Sequence, residues 1–262
     1  MTKALFLDID GTLVSFHTHA IPPSAIEALA EAKAKGVRIF IATGRPRILI
    51  NNLTSLEERG LIDGFITMNG AYCFVGNEVI YQKPISIVEK DSLMGYCDRF
   101  GIPCIVVDQD SICVVHPNEQ VDEVFRGQLG VTIDIPAVRA DEALARVPYQ
   151  MTAFLNVEHE QEVIRRIPRC EIGRWHPAFV DVTAAGNNKQ KGMDEIIAHF
   201  QIPLSETMTF GDGGNDISML RHAGIGIAMG NARDQVKQAA DYVTTSVDDN
   251  GIANALRHFQ II

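Results

Sequence analysis

The chain has 262 residues, of which 46% are hydrophobic and 21% are charged. These values exclude a disordered or collagen-like chain and allow one large domain or two smaller ones. Acidic residues outnumber basic residues by 33 to 23, which gives a net charge of −10. Binding of nucleic acid or of an anionic membrane through bulk charge is therefore not expected, whereas a small phosphate ester needs only a locally positive site.

The cysteines and the apolar runs bear on the cellular location. The chain has 5 cysteines, an odd number with no C-x-x-C pair, so we expect reduced thiols. The first apolar run is interrupted at once by Asp8 and Asp10, and 18 apolar residues never follow one another. We therefore expect no signal peptide, no membrane span and a cytoplasmic location.

The first part of the chain alternates between strand and helix patterns. The sequence predicts strands at 4–7, 37–42 and 64–67, with helices at 24–35 and from 46 to about 59. After residue 183 the alternation resumes, with strands predicted at 208–210, 225–228 and 242–244 and helices at 192–200, 216–222, 232–239 and 251–259. This order predicts an α/β fold, a Rossmann-like doubly wound parallel sheet.

The middle of the chain has a different pattern. Helices are predicted at 86–100, 118–129 and 158–167, and strands at 102–107, 112–116, 150–157, 170–175 and 179–183, the last two as a hairpin. This pattern is typical of an α+β unit. We therefore expect a core of residues 1–82 and 185–262, with an α+β domain of residues 83–184 inserted into it.

Two aspartates follow the first strand. In an extended chain, residues two apart face the same way, so the carboxylates of Asp8 and Asp10 would point into one crevice at the strand end. They would repel each other unless a cation or a proton lay between them. The chemical interpretation is a Mg²⁺ site with a carboxylate nucleophile, and the alternative is a solvated acidic turn.

Two further segments suit a bound phosphate. Thr43 and Gly44 follow the second strand, where a hydroxyl and open backbone N–H groups at a helix start can hold phosphate oxygens. Thr43 can equally be an ordinary N-cap residue. Lys189 lies at a predicted helix start, where its charge opposes the helix dipole unless an anion is bound nearby. Lys191 competes for that role, and either lysine can be a simple surface residue.

The fourth segment, residues 211–216, has the sequence GDGGND. Gly213 and Gly214 permit a tight turn, and Asp212 and Asp216 lie four residues apart, close together if a helix begins there. Carboxylates and the amide of Asn215 are typical oxygen ligands of a hard cation. The alternative is a plain glycine turn.

Together the four segments, in this order, resemble the motifs of the haloacid dehalogenase superfamily of phosphotransferases. Residues 228–232 and the Asn69-Gly70-Ala71 loop are similar to its Cof-type branch, which carries a large α/β cap between the second and third motifs, where the inserted unit falls. The resemblance covers essentially the whole chain. It implies that Asp8 is the nucleophile and Asp10 the general acid and base, and that Mg²⁺ binds Asp8, the backbone carbonyl of Asp10, and Asp212.

The resemblance also implies supporting roles and a function. Thr43, Gly44, Lys189 and Asn215 would hold the phosphate, and Asp216 would support the metal ligands. The expected function is a Mg²⁺-dependent phosphatase of small phosphorylated metabolites, with hexose phosphates as the default class. Two alternatives stay open: a sugar phosphomutase or phosphotransferase that uses the same aspartyl-phosphate, and a phospho-accepting module without turnover. In the insert, the side chains that could contact a sugar, each more often a turn or packing residue, are Asp108, Asp110, His116 and Trp175.

Overall fold

The computed structural model describes residues 2–262, apart from the side chain of Trp175. The chain divides into two compact units. The core unit consists of residues 2–45, Ile50–Tyr81 and Asn188–Ile262, and the inserted unit consists of Pro46–Leu49 and Gln82–Asn187. Each unit has a sheet of its own.

The strands of the described chain are, in order, β1 (Ala4–Leu7), β2 (Arg38–Ala42), β3 (Gly64–Thr67), β4 (Tyr72–Val75), β5 (Glu78–Gln82), β6 (Cys104–Val107), β7 (Ile112–Val115), β8 (Gln150–Ala153), β9 (Cys170–His176), β10 (Phe179–Ala184), β11 (Thr207–Gly211), β12 (Ile225–Ala228) and β13 (Tyr242–Val243). The core sheet has the order β13-β12-β11-β1-β2-β3-β4-β5. Its first six strands pair in parallel, which confirms the predicted doubly wound parallel sheet.

The α-helices of the core unit are α1 (Pro23–Ala34), α2 (Thr54–Glu57), α7 (Lys189–Phe200), α8 (Ile217–His222), α9 (Asp234–Lys237) and α10 (Gly251–His258), numbered along the whole chain. Short 3₁₀ turns span Met68–Gly70, Leu204–Glu206, Gly214–Asp216 and Val247–Asp249.

Both faces of the core sheet are covered, as the apolar character of β1 requires. Leu5 and Leu7 point to one face and pack with residues of α1 and α10. Ala4 and Phe6 point to the other face, in a cluster that includes residues of α7 and α8. Because successive side chains of β1 point to opposite faces, this strand contributes to both apolar layers of the unit.

Two parts of the chain before residue 83 differ from the sequence-based expectation. The helix expected from 46 to about 59 is wrong: a 3₁₀ turn at Arg47–Leu49 and the single turn α2 stand in its place. Asn51 and Asn52 have weak helix propensity and interrupt the run, although the apolar spacing around them is helical. In addition, β4 runs antiparallel to β3, so the sheet has an antiparallel edge that the residue pattern did not predict.

The inserted unit contains the five-stranded sheet β7-β6-β8-β10-β9, whose pairs are all antiparallel. Its helices are α3 (Ile87–Phe100), α4 (Glu119–Asp122), α5 (Ala140–Leu144) and α6 (Val157–Arg166), and a π-helical segment spans Glu123–Gln128. The expected single helix at 118–129 is thus a turn of α-helix followed by a π-helix. The short α5 was not expected.

The termini of these helices follow ordinary capping chemistry. The side chains of Ser86, Asn118 and Asn156 accept hydrogen bonds from the backbone of the first turns of α3, α4 and α6. All five cysteines carry free thiols. Every helix in residues 2–262 is too short or too polar to cross a lipid bilayer.

Candidate active site

Asp8 lies at the carboxyl end of β1, the central strand between β2 and β11. Its backbone N–H donates to the carbonyl of Phe210, so the chain is still held in the sheet at this residue. The side chain is nearly buried, with 7% of the residue exposed. The carboxyl ends of neighbouring parallel strands meet here, which is where α/β proteins bind their ligands.

Lys189 is the first residue of α7 and is fully buried. The Asn188 side chain caps the helix by accepting from the Lys191 backbone N–H at 2.8 Å. Lys189 Nζ lies 2.6 Å from Asp8 Oδ1 and 2.5 Å from Asp216 Oδ1. Burial alone would lower the pKa of Lys189, but the two carboxylates hold it above its ordinary value, so the side chain stays charged.

Lys191 lies elsewhere on the same helix. Its ammonium group pairs with Glu195, one turn further along α7, and 41% of its side chain is exposed. Of the two lysines that the sequence left in competition, the structure therefore brings Lys189 to the aspartates and leaves Lys191 on the helix surface.

The loop after β11 is organised by Asp216, which is fully buried. Its Oδ2 atom accepts hydrogen bonds from the backbone N–H groups of Asp212 at 3.0 Å and Gly213 at 2.8 Å. Its other oxygen accepts from Lys189. Because both oxygens are used in this way, Asp216 fixes the loop and the lysine together.

Asp212 points from this loop toward the segment after β1. Thr12 Oγ1 donates to Asp212 Oδ1 at 3.2 Å. Gly11 has φ +84°, and a Cβ atom there would lie 2.2 Å from Asp212 Oδ2. Only glycine fits, because the position requires both a left-handed backbone and contact with a carboxylate.

The carboxylates carry more negative charge than Lys189 neutralises. Burial, followed by the charge of Asp216, raises the pKa of Asp212 from 3.8 to about 7. Burial likewise raises the pKa of Asp8, although Lys189 opposes the rise. One oxygen from each of Asp8, Asp212 and Asp216 lies within 4.8 Å of the others.

This donor set fits a hard divalent cation such as Mg²⁺, because all three groups offer oxygen and their charge is under-compensated. Asp8 and Asp212 are the carboxylates that would hold it, since both oxygens of Asp216 already accept hydrogen bonds. The carboxylate of Asp10 lies outside this group. The resemblance assigns to the metal only the backbone carbonyl of Asp10.

The segment after β2 contacts the segment after β3. Thr43 is buried, donates its backbone N–H to the carbonyl of Ile66 at 2.8 Å and accepts the Asn69 backbone N–H at 3.1 Å. A Cβ atom at Gly44 would lie 3.2 Å from the amide of Asn69. The Asn215 side chain donates to Asn69 Oδ1 at 3.0 Å. Asn69 therefore links the second and fourth segments.

Asn69 and Asn231 are two residues that sequence reasoning did not assign to the site. Asn69 has φ +52°, and its neighbours Met68 and Gly70 also have positive φ values, which is costly for the two non-glycine residues. Asn231 donates to the Gly11 carbonyl at 2.8 Å and accepts the Val247 backbone N–H at 3.0 Å. The Asn69-Gly70 pair was the available signal, since both types favour left-handed backbone.

The aspartates and the histidine of the inserted unit that could contact a sugar lie in turns and on the surface. Asp108 accepts from the backbone and hydroxyl of Ser111 and pairs with Arg146 at 3.2 Å. His116 lies 2.9 Å from Asp98. Asp110 is exposed. The side chain of Trp175 lies outside the described part of the chain.

The sequence profile described as haloacid dehalogenase-like hydrolase matches residues 5–256. The chain belongs to this family. The putative phosphatase YkrA of Bacillus subtilis is 32% identical over 264 residues, which cover 100% of this chain and 99% of that protein. The 5-amino-6-(5-phospho-D-ribitylamino)uracil phosphatase YcsE of the same organism is 28% identical and covers 98% of this chain and 95% of its own.

Solved structures agree in fold over the whole chain. The structure described as the haloacid dehalogenase subclass IIB sugar phosphatase BT4131 is 60% identical, covers 100% of both chains and has a TM-score of 0.95. BT1666 from Bacteroides thetaiotaomicron, described among the phosphatases of this superfamily, is 35% identical, with a TM-score of 0.87 over 100% of this chain and 96% of its own. The predicted family, fold class and enzyme class, a phosphatase, are confirmed.

Proposed function

We propose that this chain is a Mg²⁺-dependent phosphatase of small phosphate monoesters that works through an aspartyl-phosphate on Asp8. One observation carries the proposal: the buried Lys189 ammonium bridges Asp8 and Asp216 at 2.6 and 2.5 Å, beside Asp212. A carboxylate held against a buried cation, with a further acidic group for a metal, suits attack on a phosphate group, where charge stabilisation supplies most of the catalysis.

Sugar phosphates, hexose phosphates first, are the proposed substrate class. The support is the 60% identity to the sugar phosphatase BT4131 over the whole of both chains. YcsE, which is named for a phosphorylated ribitylamino compound, is only 28% identical. In this proposal residues 83–184 form the cap domain that selects the leaving group.

The first step transfers the phosphoryl group to the enzyme. An Asp8 carboxylate oxygen donates an electron pair to phosphorus, and the bond between phosphorus and the ester oxygen breaks. That oxygen takes the proton of the Asp10 carboxyl group and leaves as an alcohol. Lys189 stays charged beside Asp8 and offsets the negative charge of the transferred group.

The second step releases phosphate. The Asp10 carboxylate accepts a proton from water, the water oxygen bonds to phosphorus, and the bond from phosphorus to the Asp8 oxygen breaks. Inorganic phosphate leaves, the Asp8 carboxylate is restored and Asp10 is again protonated. Thr43, Gly44 and Asn215 are proposed to hold the phosphoryl oxygens in both steps.

When bound at Asp8 and Asp212, Mg²⁺ supplies positive charge that keeps the nucleophile ionised and lowers its repulsion from the phosphate. The raised pKa values of Asp8 and Asp212 reflect burial and neighbouring carboxylates, and a cation bound between them would stabilise their ionised forms.

The test is phosphate release from a panel of sugar phosphates and nucleotides, with Mg²⁺ and with EDTA. Wild type is compared with Asp8→Asn and with the matched control Asp248→Asn, whose aspartate is exposed. We expect Mg²⁺-dependent release that ranks hexose phosphates first, is lost in Asp8→Asn and is unchanged in Asp248→Asn.

Other outcomes would overturn the proposal in different ways. Release in EDTA equal to that in Mg²⁺ would contradict the metal dependence. Full activity of Asp8→Asn would contradict the nucleophile. Phosphoryl transfer between sugar positions in place of release would identify a phosphomutase that uses the same residues.

A further inference from the structure

Arg45 donates two parallel hydrogen bonds to the carboxylate of Asp10. Arg45 Nε donates to Asp10 Oδ2 at 2.7 Å, and Arg45 Nη2 donates to Asp10 Oδ1 at 2.8 Å. The Arg45 side chain is 17% exposed and that of Asp10 is 30% exposed. Two-point contacts of this kind fix the plane of a carboxylate as well as its position, which a single contact does not.

The backbone of Arg45 is fixed at both ends of the residue. Its N–H donates to Thr43 Oγ1 at 3.0 Å, and its carbonyl accepts the Met68 N–H at 3.2 Å. The guanidinium group therefore projects from a restrained segment between the ends of β2 and β3. An arginine anchored in this way is a suitable support for a group that must transfer protons in one geometry.

We propose that Arg45 is a positioning residue that holds the Asp10 carboxyl group in the orientation required for proton transfer to the leaving group and from water. This inference rests on the proposed function, because it assigns Arg45 a part in the acid–base work of Asp10. In this role Arg45 contacts Asp10 and acts on the phosphorus and the leaving oxygen only through it. Its contribution is to fix the plane of the Asp10 carboxyl group through both oxygens, so that the remaining lone pair of one oxygen is aimed at the ester oxygen.

The leaving group distinguishes this role from direct phosphate binding. A sugar alkoxide needs a proton to depart, whereas p-nitrophenolate is stable enough to leave without one. A residue that positions the acid therefore matters for the sugar ester and hardly matters for p-nitrophenyl phosphate. A residue that binds the phosphate group matters equally for both.

Enzyme in excess is mixed with one of two substrates, and the rate at which the leaving group is released is measured over a single turnover. The substrates are the hexose phosphate that ranks first in the panel above and p-nitrophenyl phosphate. The variants are Arg45→Ala, Arg45→Lys, Asp10→Asn and the double variant Arg45→Ala with Asp10→Asn, each checked for folding by circular dichroism and for Mg²⁺ affinity by titration. Arg45→Lys keeps the positive charge but lacks the planar guanidinium group that donates two parallel hydrogen bonds.

For Arg45→Ala we expect sugar release to slow about 100-fold, the effect typical of a misplaced catalytic group. Release of p-nitrophenol should slow by less than about threefold, since it needs little proton transfer. KM for the sugar ester, measured in separate steady-state assays, and Mg²⁺ affinity should stay unchanged. Sugar release by Arg45→Lys should be faster than by Arg45→Ala but slower than by wild type. Addition of Arg45→Ala to Asp10→Asn should hardly slow sugar release further, because the two residues act as one unit.

Equal slowing for both substrates together with a raised KM would overturn the inference in favour of direct phosphate binding. Unchanged rates in Arg45→Ala would show that the pair is only a surface ion pair. In either case wild type is still active, so the inference fails alone. Wild type that releases neither alcohol nor p-nitrophenol would overturn the proposed function and, with it, the inference.

Discussion

Lys189 and Asp216 form an ion pair of 2.5 Å in which neither side chain is exposed to solvent. The same ammonium group lies 2.6 Å from Asp8, so one buried cation forms ion pairs with two buried carboxylates. Asp212 adds a third carboxylate to the group without adding a cation. The site thus holds excess negative charge at the place where the account puts the metal.

Removal of the lysine charge should be costly for stability. In Lys189→Met the carboxylates lose their buried partner, and the free energy of unfolding in EDTA should fall by about 3–5 kcal/mol. The control is Lys191→Met, whose exposed i,i+4 pair with Glu195 should be worth less than about 1 kcal/mol. Urea denaturation measures both.

A double-mutant cycle then tests whether the pair acts as a unit. Asp216→Asn combined with Lys189→Met should cost clearly less than the sum of the two single changes, because each single change leaves a buried group without its partner. Strict additivity would show that the two charges do not stabilise each other and would contradict the geometry described above.

Stability and metal binding should depend on pH through Asp212. Its folded-state pKa of about 7 lies above the ordinary 3.8, so the folded protein binds more protons than the unfolded chain between these values. The contribution of Asp212 to the stability of the metal-free protein should therefore fall as the pH rises from about 4 to about 7. Because Mg²⁺ binds the deprotonated form, its affinity should be about tenfold weaker at pH 6 than at pH 8.

Calorimetric Mg²⁺ titrations and urea unfolding in EDTA at several pH values measure these two effects. Asp212→Asn is the matched variant, in which the Asp212 part of the pH dependence of stability should disappear and Mg²⁺ binding should weaken sharply. A metal-free stability of wild type that rises over the same range relative to that of Asp212→Asn would contradict the raised pKa of Asp212.

The close approach of Gly11 to Asp212 can be tested against Gly36, a glycine with a similar backbone conformation and no close neighbour. Both have left-handed φ values, +84° and +87°, but a Cβ at Gly36 would meet no atom of the described chain within 4 Å. Gly36→Ala should cost about 1–2 kcal/mol from the backbone alone and leave turnover intact. Gly11→Ala should lose more stability and most turnover, because its Cβ displaces the Asp212 carboxylate. Similar effects of the two changes on turnover would argue against the assigned role of this contact.

Asp10→Asn separates acid–base chemistry from metal binding. The amide cannot donate or accept the proton in the proposed steps, so turnover of a sugar phosphate should fall by about 10²–10⁴-fold. Mg²⁺ affinity should stay close to that of wild type, because the carboxylate lies outside the acidic group and faces Arg45. Steady-state rates combined with Mg²⁺ titration test this, and an unchanged rate would remove Asp10 from the mechanism.

The sequence was sufficient to predict where these residues meet. Asp8 and Asp212 each follow a strand of the parallel sheet, and the carboxyl ends of such strands share one edge. The contact between Thr12 and Asp212 spans 200 residues of chain, yet it follows from the pairing of β1 with β11. Chain order and strand periodicity carry this information directly.

Side-chain partners were harder to predict because they depend on register and loop conformation. The contact of Arg45 with Asp10 joins two loops 35 residues apart and depends on their conformations, which the residue pattern does not encode. Asn69 needed its left-handed backbone before its link to Asn215 was visible. The helix expected at 46–59 failed for a related reason, since apolar spacing alone did not reveal the interruption at Asn51 and Asn52.

The most direct test of the central claim is acid quenching during turnover, followed by mass spectrometry of the peptide that contains Asp8. We expect one phosphoryl group on Asp8 in wild type with Mg²⁺ and a hexose phosphate, and none on that peptide in Asp8→Asn. Phosphate release at the wild-type rate without any phosphoryl group on Asp8, or with one on another residue, would contradict it.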